Sequence, residues 1–211
     1  MAPGVRPGFH IVIVGGGTAG WMAACLMAKQ WGPAGARISV VESSEIGIVG
    51  VGEGSTPQLR AFFRDLGVAE DDWMPACNAT YKNGISFHGW SKRPGYESYF
   101  HPFASPIDAH TAPGFHFNSF HRRRGADLAA APDRFFLSAT LAKRRLAPLP
   151  ARNFPFDIAY GYHFDAYLVG AFLRRHAEGR GVRGVEGRVG EITFDADGSI
   201  ASLMLDGERV V

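Results

Sequence analysis

Cysteine is scarce in this 211-residue chain, with only Cys25 and Cys77 present. Neither belongs to a CxxC pair, so nothing points to a thiolate metal site, a dithiol redox motif or a disulfide scaffold. Reduced thiols in a reducing compartment are expected. Long apolar runs are also missing. Ile11–Val14 is far shorter than the ~20 residues of a membrane span and too short for a signal-peptide core. A cytoplasmic protein with no membrane partner is expected. Neither sign of charge dominates, since 22 Lys and Arg face 20 Asp and Glu for a formal charge of +2. Arg122-Arg123-Arg124 and Lys143-Arg144-Arg145 lack the interleaved aromatics of a nucleic-acid surface and read as solvated faces, so no nucleic-acid partner is expected. His101, His110, His116 and His121 show no zinc or iron spacing, so no metal is expected. No G-x-S-x-G occurs, which argues against a nucleophile-elbow hydrolase.

What remains is an ordinary globular composition, 46% hydrophobic and 20% charged, enough for one large domain or two small ones. Ile11–Val14 is a β-branched run of the kind buried in a parallel sheet. It leads into Gly15, Gly17 and Gly20, which make G-x-G-x-x-G, and then into an apolar helix over Trp21–Gln30. A second β-branched strand, Arg37–Val41, ends at Glu42. Strand, glycines, helix, strand and terminal acid in that order predict a nucleotide-binding βαβ unit over 11–42. Gly15 allows the turn, Gly17 lets backbone approach a pyrophosphate, and Gly20 permits close helix–strand packing. The helix N-terminus offers free N–H groups and positive potential to phosphate. Glu42 would accept from a ribose hydroxyl and repel a 2′-phosphate, which disfavours NADP. A second glycine-rich loop, Gly47–Gly54, precedes a helix with Thr56 as N-cap, Pro57 at its first position, Leu59, Phe62, Phe63 and Leu66 on its apolar face, and Gly67 as its stop.

Further along, Ile85–Trp90 alternates as a strand, Phe100–Phe117 reads as a long irregular loop, and Arg134–Leu146 reads as a helix. A helix capped near Asp165 carries Tyr167, Leu168, Ala171 and Phe172. Strands are expected over Gly184–Val189, Glu191–Phe194 and Ile200–Leu205, with turns at Asp195–Gly198 and Asp206–Gly207 before Arg209–Val211.

Four segments taken together resemble the flavin-dependent tryptophan halogenases. They are Gly15–Ala24, Gly50–Pro57 (with Gly54 where the family usually has Ala), Cys77–Ile85 with Phe87 and Trp90, and Tyr162–Ala166. The resemblance spans nearly the whole chain. It implies an α/β fold like the aromatic hydroxylases: an FAD-binding Rossmann-like domain with part of a substrate region, taken here as one unit over 1–211. It implies FAD as cofactor, held by Gly15, Gly17, Thr18, Ala19, Gly20, Glu42, Gly52 and Val189. It also implies a reaction in which reduced flavin, dioxygen and halide give hypohalous acid. Lys82 matches the family's catalytic lysine, which delivers the halogen to tryptophan or another electron-rich aromatic. Its ammonium can polarise the hypohalous acid, or its amine can trap the halogen as a haloamine. A single dinucleotide fingerprint implies that a separate flavin reductase supplies the reduced cofactor.

The sequence also departs from the family. Its four tryptophans, Trp21, Trp31, Trp73 and Trp90, form no Trp-x-Trp-x-Ile-Pro motif, and the acidic partner of the lysine would fall beyond Val211. The expectation is therefore the N-terminal part of a longer protein, or a truncated one. An aromatic hydroxylase of the same fold and a flavin-binding remnant without turnover are the alternatives.

Overall fold

The computed structural model describes residues 8–46, 53–206 and 208–209. In chain order the elements are β1 (His10–Val14), α1 (Thr18–Trp31), β2 (Arg37–Glu42), α2 (Gln58–Leu66), the single turn α3 (Glu70–Trp73), β3 (Thr80–Lys82), β4 (Gly84–His88), β5 (Ser98–Pro102), α4 (Ala112–Arg122) and α5 (Leu137–Arg144). They continue with β6 (Gly161–His163), α6 (Ala166–Glu178), β7 (Arg183–Glu186), β8 (Val189–Phe194), β9 (Ile200–Leu205) and β10 (Glu208–Arg209). Glu53–Gly67 and Ala79–Phe164 form one compact unit, and the rest of the described chain forms another. Among the described residues no helix is long and apolar enough to cross a membrane.

The first unit holds a parallel sheet in the order β1-β2-β7, with α1 crossing from β1 to β2. β2 loses the alternation of a half-exposed strand because Ile38, Ser39, Val40 and Val41 are all buried. Its one polar side chain inside, Ser39, is satisfied by His10 Nε2 at 2.9 Å. Helix α1 begins three residues earlier than its apolar run predicts. It buries one stripe, Trp21, Ala24, Cys25 and Ala28, and leaves Leu26 on the outside. That i, i+3, i+4, i+7 stripe is the core-facing side of an amphipathic helix. It packs on α6, whose Val169, Leu173 and Ala177 are fully buried. Small residues on both faces let the helices approach closely enough for the Cys25 thiol to reach Leu173 O at 3.5 Å. Helix α6 starts as predicted, with Asp165 Oδ1 accepting from Tyr167 N at 2.9 Å and Leu168 N at 3.1 Å. Both cysteines are free and buried, and burial pushes each thiol up to about 11, which keeps them protonated and unreactive.

The expected strand over Gly184–Val189 is two strands. β7 joins the parallel sheet, whereas β8 turns into an antiparallel sheet ordered β10-β9-β8. The break falls at Gly187, whose φ of +154° is available only to glycine at low cost. Gly187 N still donates to Glu42 O at 2.8 Å, which fixes the break against the end of β2.

The second unit is built from two small antiparallel ribbons, β3-β6 and β4-β5, with α2, α4 and α5. Here the structure corrects the sequence reading in several places. Phe100–Phe117 is no loop: β5 pairs with β4 from Gly84↔Pro102 to His88↔Ser98, and α4 begins at Ala112 with a proline in its first turn. Helix α4 buries no residue completely, and Phe117 and Phe120 are exposed, so no apolar stripe marks it in the sequence. The strand expected over Ile85–Trp90 ends at His88, and the helix expected over Arg134–Leu146 is the shorter α5, closed by Arg145 at φ 56°. The cap of α2 also lies one residue later than predicted. Pro57 takes that position, and the Thr56 hydroxyl donates to Gln58 Oε1 at 2.6 Å instead of capping. Gly67 ends the helix as expected.

The first turn of α1 packs closely on the turn that follows β1. A Cβ on Gly20 would lie 1.9 Å from Gly15 O, a backbone atom held by its place in the turn. Gly20→Ala should therefore destabilise the chain by about 1–3 kcal/mol. A fall in melting temperature of roughly 2–10 °C is expected at this size. A melting curve unchanged by the substitution would contradict the packing described.

Candidate functional site

The first unit carries a cavity of about 480 Å³ where β1, α1, β2 and β7 meet. Its floor is the backbone of Gly15, Gly16 and Gly17, and its walls include Glu42, Ser44, Arg174, Arg188 and Val189. Gly15 has φ +117°, a conformation that lets β1 end sharply while Gly15 N continues the ladder to Val41 O at 2.8 Å. Gly17 precedes α1 with extended backbone and has nothing within 4 Å of its missing side chain, so a ligand can lie directly on it. Helix α1 has no side-chain cap and no acidic residue in its first turn. The helix end at Thr18, Ala19 and Gly20 thus has no side-chain cap, and the carboxylate near it, that of Glu42, comes from β2. Thr18 uses its hydroxyl on Ala166 O at 3.3 Å, so its backbone N–H is what it offers a ligand.

Glu42 ends β2 at the cavity wall, but its carboxylate is already engaged. Oε2 accepts from Trp21 Nε1 at 3.1 Å, and Oε1 is paired with Arg174. Arg174 also donates from Nε to Glu178 Oε1 at 2.9 Å. Val189 opens β8 beside the cavity. Gly52 lies outside the described residues.

In the second unit Lys82 is the last residue of β3, half-buried, opposite Gly161 of β6. The segment Glu53–Ser55 runs along the other edge of β6: Phe164 N donates to Glu53 O at 2.9 Å, Ser55 N donates to Tyr162 O at 2.8 Å, and Gly54 bridges His163. Of the glycine-rich loop singled out from the sequence, the described residues Glu53 and Gly54 thus lie along β6, the strand paired with that of the lysine. Lys82 Nζ would stand 3.0 Å from a Cβ on Gly54, and His163 Cδ2 would stand 3.2 Å from that same point. Both side chains line a cavity of about 700 Å³ together with Asn83, Arg145 and Phe100. No carboxylate lines it among the described residues. The Phe103 ring centroid lies 5.9 Å from Lys82 Nζ. Asn83 donates from Nδ2 to Leu146 O at 3.1 Å, which fixes its amide orientation and leaves Oδ1 a buried acceptor with no partner. Partial burial pushes the His163 imidazole below the ordinary 6.5, and the Lys82 charge pushes it the same way.

The structure thus brings Gly15, Gly17, Glu42 and Val189 to one cavity, with Thr18, Ala19 and Gly20 in the helix turn behind it, and sets Lys82 on the wall of another. Sequence reading missed Arg174 and Trp21 as partners of Glu42. A spacing of 132 residues separates Arg174 from Glu42, so no local motif could reveal the pair. It also passed over His163, although that residue sits inside one of the four recognised segments.

Comparison with known proteins adds an independent line. The tryptophan halogenase family model matches residues 10–211. The tryptophan 7-halogenase RebH of Lentzea aerocolonigenes is 38% identical, with the alignment covering 95% of this chain and 40% of RebH. Among solved structures, the flavin-dependent halogenase Xcc4156 from Xanthomonas campestris superposes with a TM-score of 0.76 at 38% identity, over 97% of this chain and 41% of that one. The flavin-dependent halogenase BrvH from Brevundimonas sp. BAL3 does so with 0.75 at 35% identity, over 95% and 40%. The chain spans about 40% of the length of the curated relatives it matches.

The environment of His163 yields a direct test of the lysine's position. Lys82→Met removes the nearby cation but leaves the burial, which is the larger cause of the shift. The His163 midpoint, followed by NMR titration, should rise yet stay below the ordinary value of 6.5. A midpoint that stays put or falls would separate the two side chains.

Proposed function

The chain belongs to the tryptophan halogenase family, and on that footing we propose that it forms the FAD-binding and lysine-bearing part of a flavin-dependent halogenase. The substrate is tryptophan or another electron-rich aromatic, and the second substrate is halide. The observation that carries the reading is a single family match running through both the glycine cradle with Glu42 and the cavity with Lys82.

The cradle suits FAD. Open backbone at Gly17, an uncapped helix end and an acid at the ribose distance in sequence are what an adenosine diphosphate moiety requires. Gly15, Gly17, Thr18, Ala19 and Gly20 would hold its phosphates, Glu42 its ribose, and Val189 and Gly52 further parts of the cofactor. When bound and reduced, the flavin supplies with dioxygen the oxidising power that turns halide into hypohalous acid.

Lys82 then handles the oxidised halogen. Its ammonium donates to the oxygen of HOX and draws electron density from the O–X bond, so X becomes the electrophile. In the alternative the amine takes X from HOX, water leaves, and the haloamine passes X to the ring carbon as the ring gives up its proton. Phe100 lines the cavity beside the lysine and the Phe103 ring lies 5.9 Å from its Nζ, so the reagent would meet apolar surface there. The protein works in the cytoplasm and receives reduced flavin from a separate reductase, since the chain has one dinucleotide fingerprint.

Denaturing the purified protein should release a yellow chromophore that chromatographs as FAD. Stoichiometric NADP binding with no affinity for flavin would refute the cofactor assignment. In the holoenzyme, Lys82→Ala should leave FAD binding and oxygen consumption nearly unchanged, while halogenated product falls by roughly two or more orders of magnitude. Lys82→Arg keeps the donors but gives up its proton far less readily, so an active Arg variant favours polarisation of HOX. Wild-type rate and selectivity in Lys82→Ala would remove the lysine from the mechanism.

A further inference from the structure

The β4–β5 ribbon ends in an ordered aromatic tip. Trp90 N donates to Glu97 O at 3.0 Å and Tyr96 N donates to Arg93 O at 3.0 Å, so the connection between the strands is a closed turn. Phe87 and Tyr99 stack with ring centroids 4.8 Å apart, and Trp90 packs edge-on against both. That cluster lies at the surface, with Trp90 67% exposed. Arg93 stands over the Tyr96 ring, 4.6 Å from its centroid, which helps to hold the guanidinium in place. Arg122 and Arg123 reach the same place from the end of α4. The three arginines line one cavity of about 800 Å³ with Trp90, Tyr96 and Tyr99. No acid lines it among the described residues, and none of the three arginines has an ion-pair partner among them. The acid of the turn, Glu97, accepts from Gly95 N at 3.1 Å.

From this arrangement we infer that the cavity is a subsite for a carboxylate that the aromatic substrate carries on a spacer, away from the ring that is halogenated. That its ligand is the substrate rests on the halogenase reading. Arg122 and Arg123 suit the negative end of the α4 dipole and by themselves would mark only a solvated helix end. Arg93 has no such reason to be there, since it arrives from another element and is held by stacking. Guanidinium forks match a carboxylate with two parallel hydrogen bonds. Aromatic walls suit the apolar spacer behind it. A formal charge of only +2 for the whole chain favours a small anion over a polyanion. A second cavity, of about 650 Å³, adjoins the first across Tyr99, Phe100 and Phe115 and has no Lys, Arg, Asp or Glu in its lining. Phe103, whose ring lies 5.9 Å from Lys82 Nζ, lines it. A ring in the apolar cavity and an acid among the arginines together define the substrate class: an aromatic carboxylic acid with a spacer between ring and carboxylate.

The test compares indole-3-butyrate with its uncharged amide, indole-3-butyramide, as probes of the purified protein, with binding read by calorimetry and folding checked by melting curves. Wild type should bind the butyrate more tightly by roughly fivefold or more, the scale of an exposed ion pair. Added salt should shrink that ratio. Arg93→Gln, and Arg122→Gln combined with Arg123→Gln, should each reduce it to about twofold or less. Arg124→Gln is the control: its guanidinium lies over the Phe120 ring and does not line the cavity, so the ratio should persist. Wild-type protein that binds neither probe, or both alike, would overturn the proposal. A ratio that survives in the arginine variants, as parallel losses from a damaged fold would leave it, would overturn it too. So would a ratio lost in Arg145→Gln but kept in the others, because Arg145 lines the cavity of Lys82. The expected ratios in a holoenzyme that halogenates no indole would instead sink the halogenase reading and leave the carboxylate subsite standing.

Discussion

The Trp21 indole ties together the core of the first unit and its ligand cavity. Its ring is 1% exposed in the stripe that packs α1 on α6, and its one polar atom donates to Glu42 at the cavity wall. A buried indole N–H needs an acceptor, and a half-sheltered carboxylate needs donors; each answers the other's cost. Arg174, whose guanidinium lies 5.6 Å from the Trp21 ring centroid, completes the carboxylate's coordination from α6. The orientation of Glu42 is thus set by the packing of two helices. Any change that separates α1 from α6 would also release Glu42.

The second unit holds its polar groups by another route. Its ribbons are short, three residues for β3 and β6, and isolated two-stranded ribbons have little stability of their own. They are supported by local ties: the Ser55 hydroxyl accepts from Tyr162 N at 3.0 Å, and buried Asp108 accepts from Ser105 N at 2.7 Å and from Leu137 N at 2.8 Å. Tyr162 is fully buried and packs with Tyr81 and Tyr160 beside the lysine's strand. The lysine's strand is therefore held by its pairing with β6 and by aromatic packing, while β6 is held on its other edge by hydrogen bonds to Glu53 and Ser55.

These two constructions explain what could be read from sequence. The βαβ unit was legible in its element order and strand bounds, with the start of α1 three residues off, because its signals are local: β-branched runs, three spaced glycines and a terminal acid within one continuous stretch. The cap at Asp165 was legible for the same reason. The second unit was harder. Helix α4 buries no residue completely, β5 sits in a stretch rich in proline and histidine, and the β7–β8 break depends on a single glycine conformation at Gly187. Lys82 could be singled out only through the resemblance, since a lysine at the end of a three-residue strand carries no local signal. The partners of Glu42 and the neighbours of Lys82 come from segments distant in sequence, and only the fold brings them together.

The two candidate sites share one steric device used at two strengths. In each, a long polar side chain is laid across a glycine of a neighbouring segment. At Gly16 a Cβ would fall 1.7 Å from the Glu42 carboxylate and 2.3 Å from its Cβ, a stiff part of a side chain pinned by Trp21 and Arg174. No rotation relieves that overlap, so residue 16 must be glycine for Glu42 to stand where it does. At Gly54 the nearest atom is Lys82 Nζ at 3.0 Å, the free end of a four-carbon stem. A few tenths of an ångström of movement there would accommodate a methyl group. That difference leaves room for a small side chain at position 54 beside the same lysine, whereas position 16 admits none.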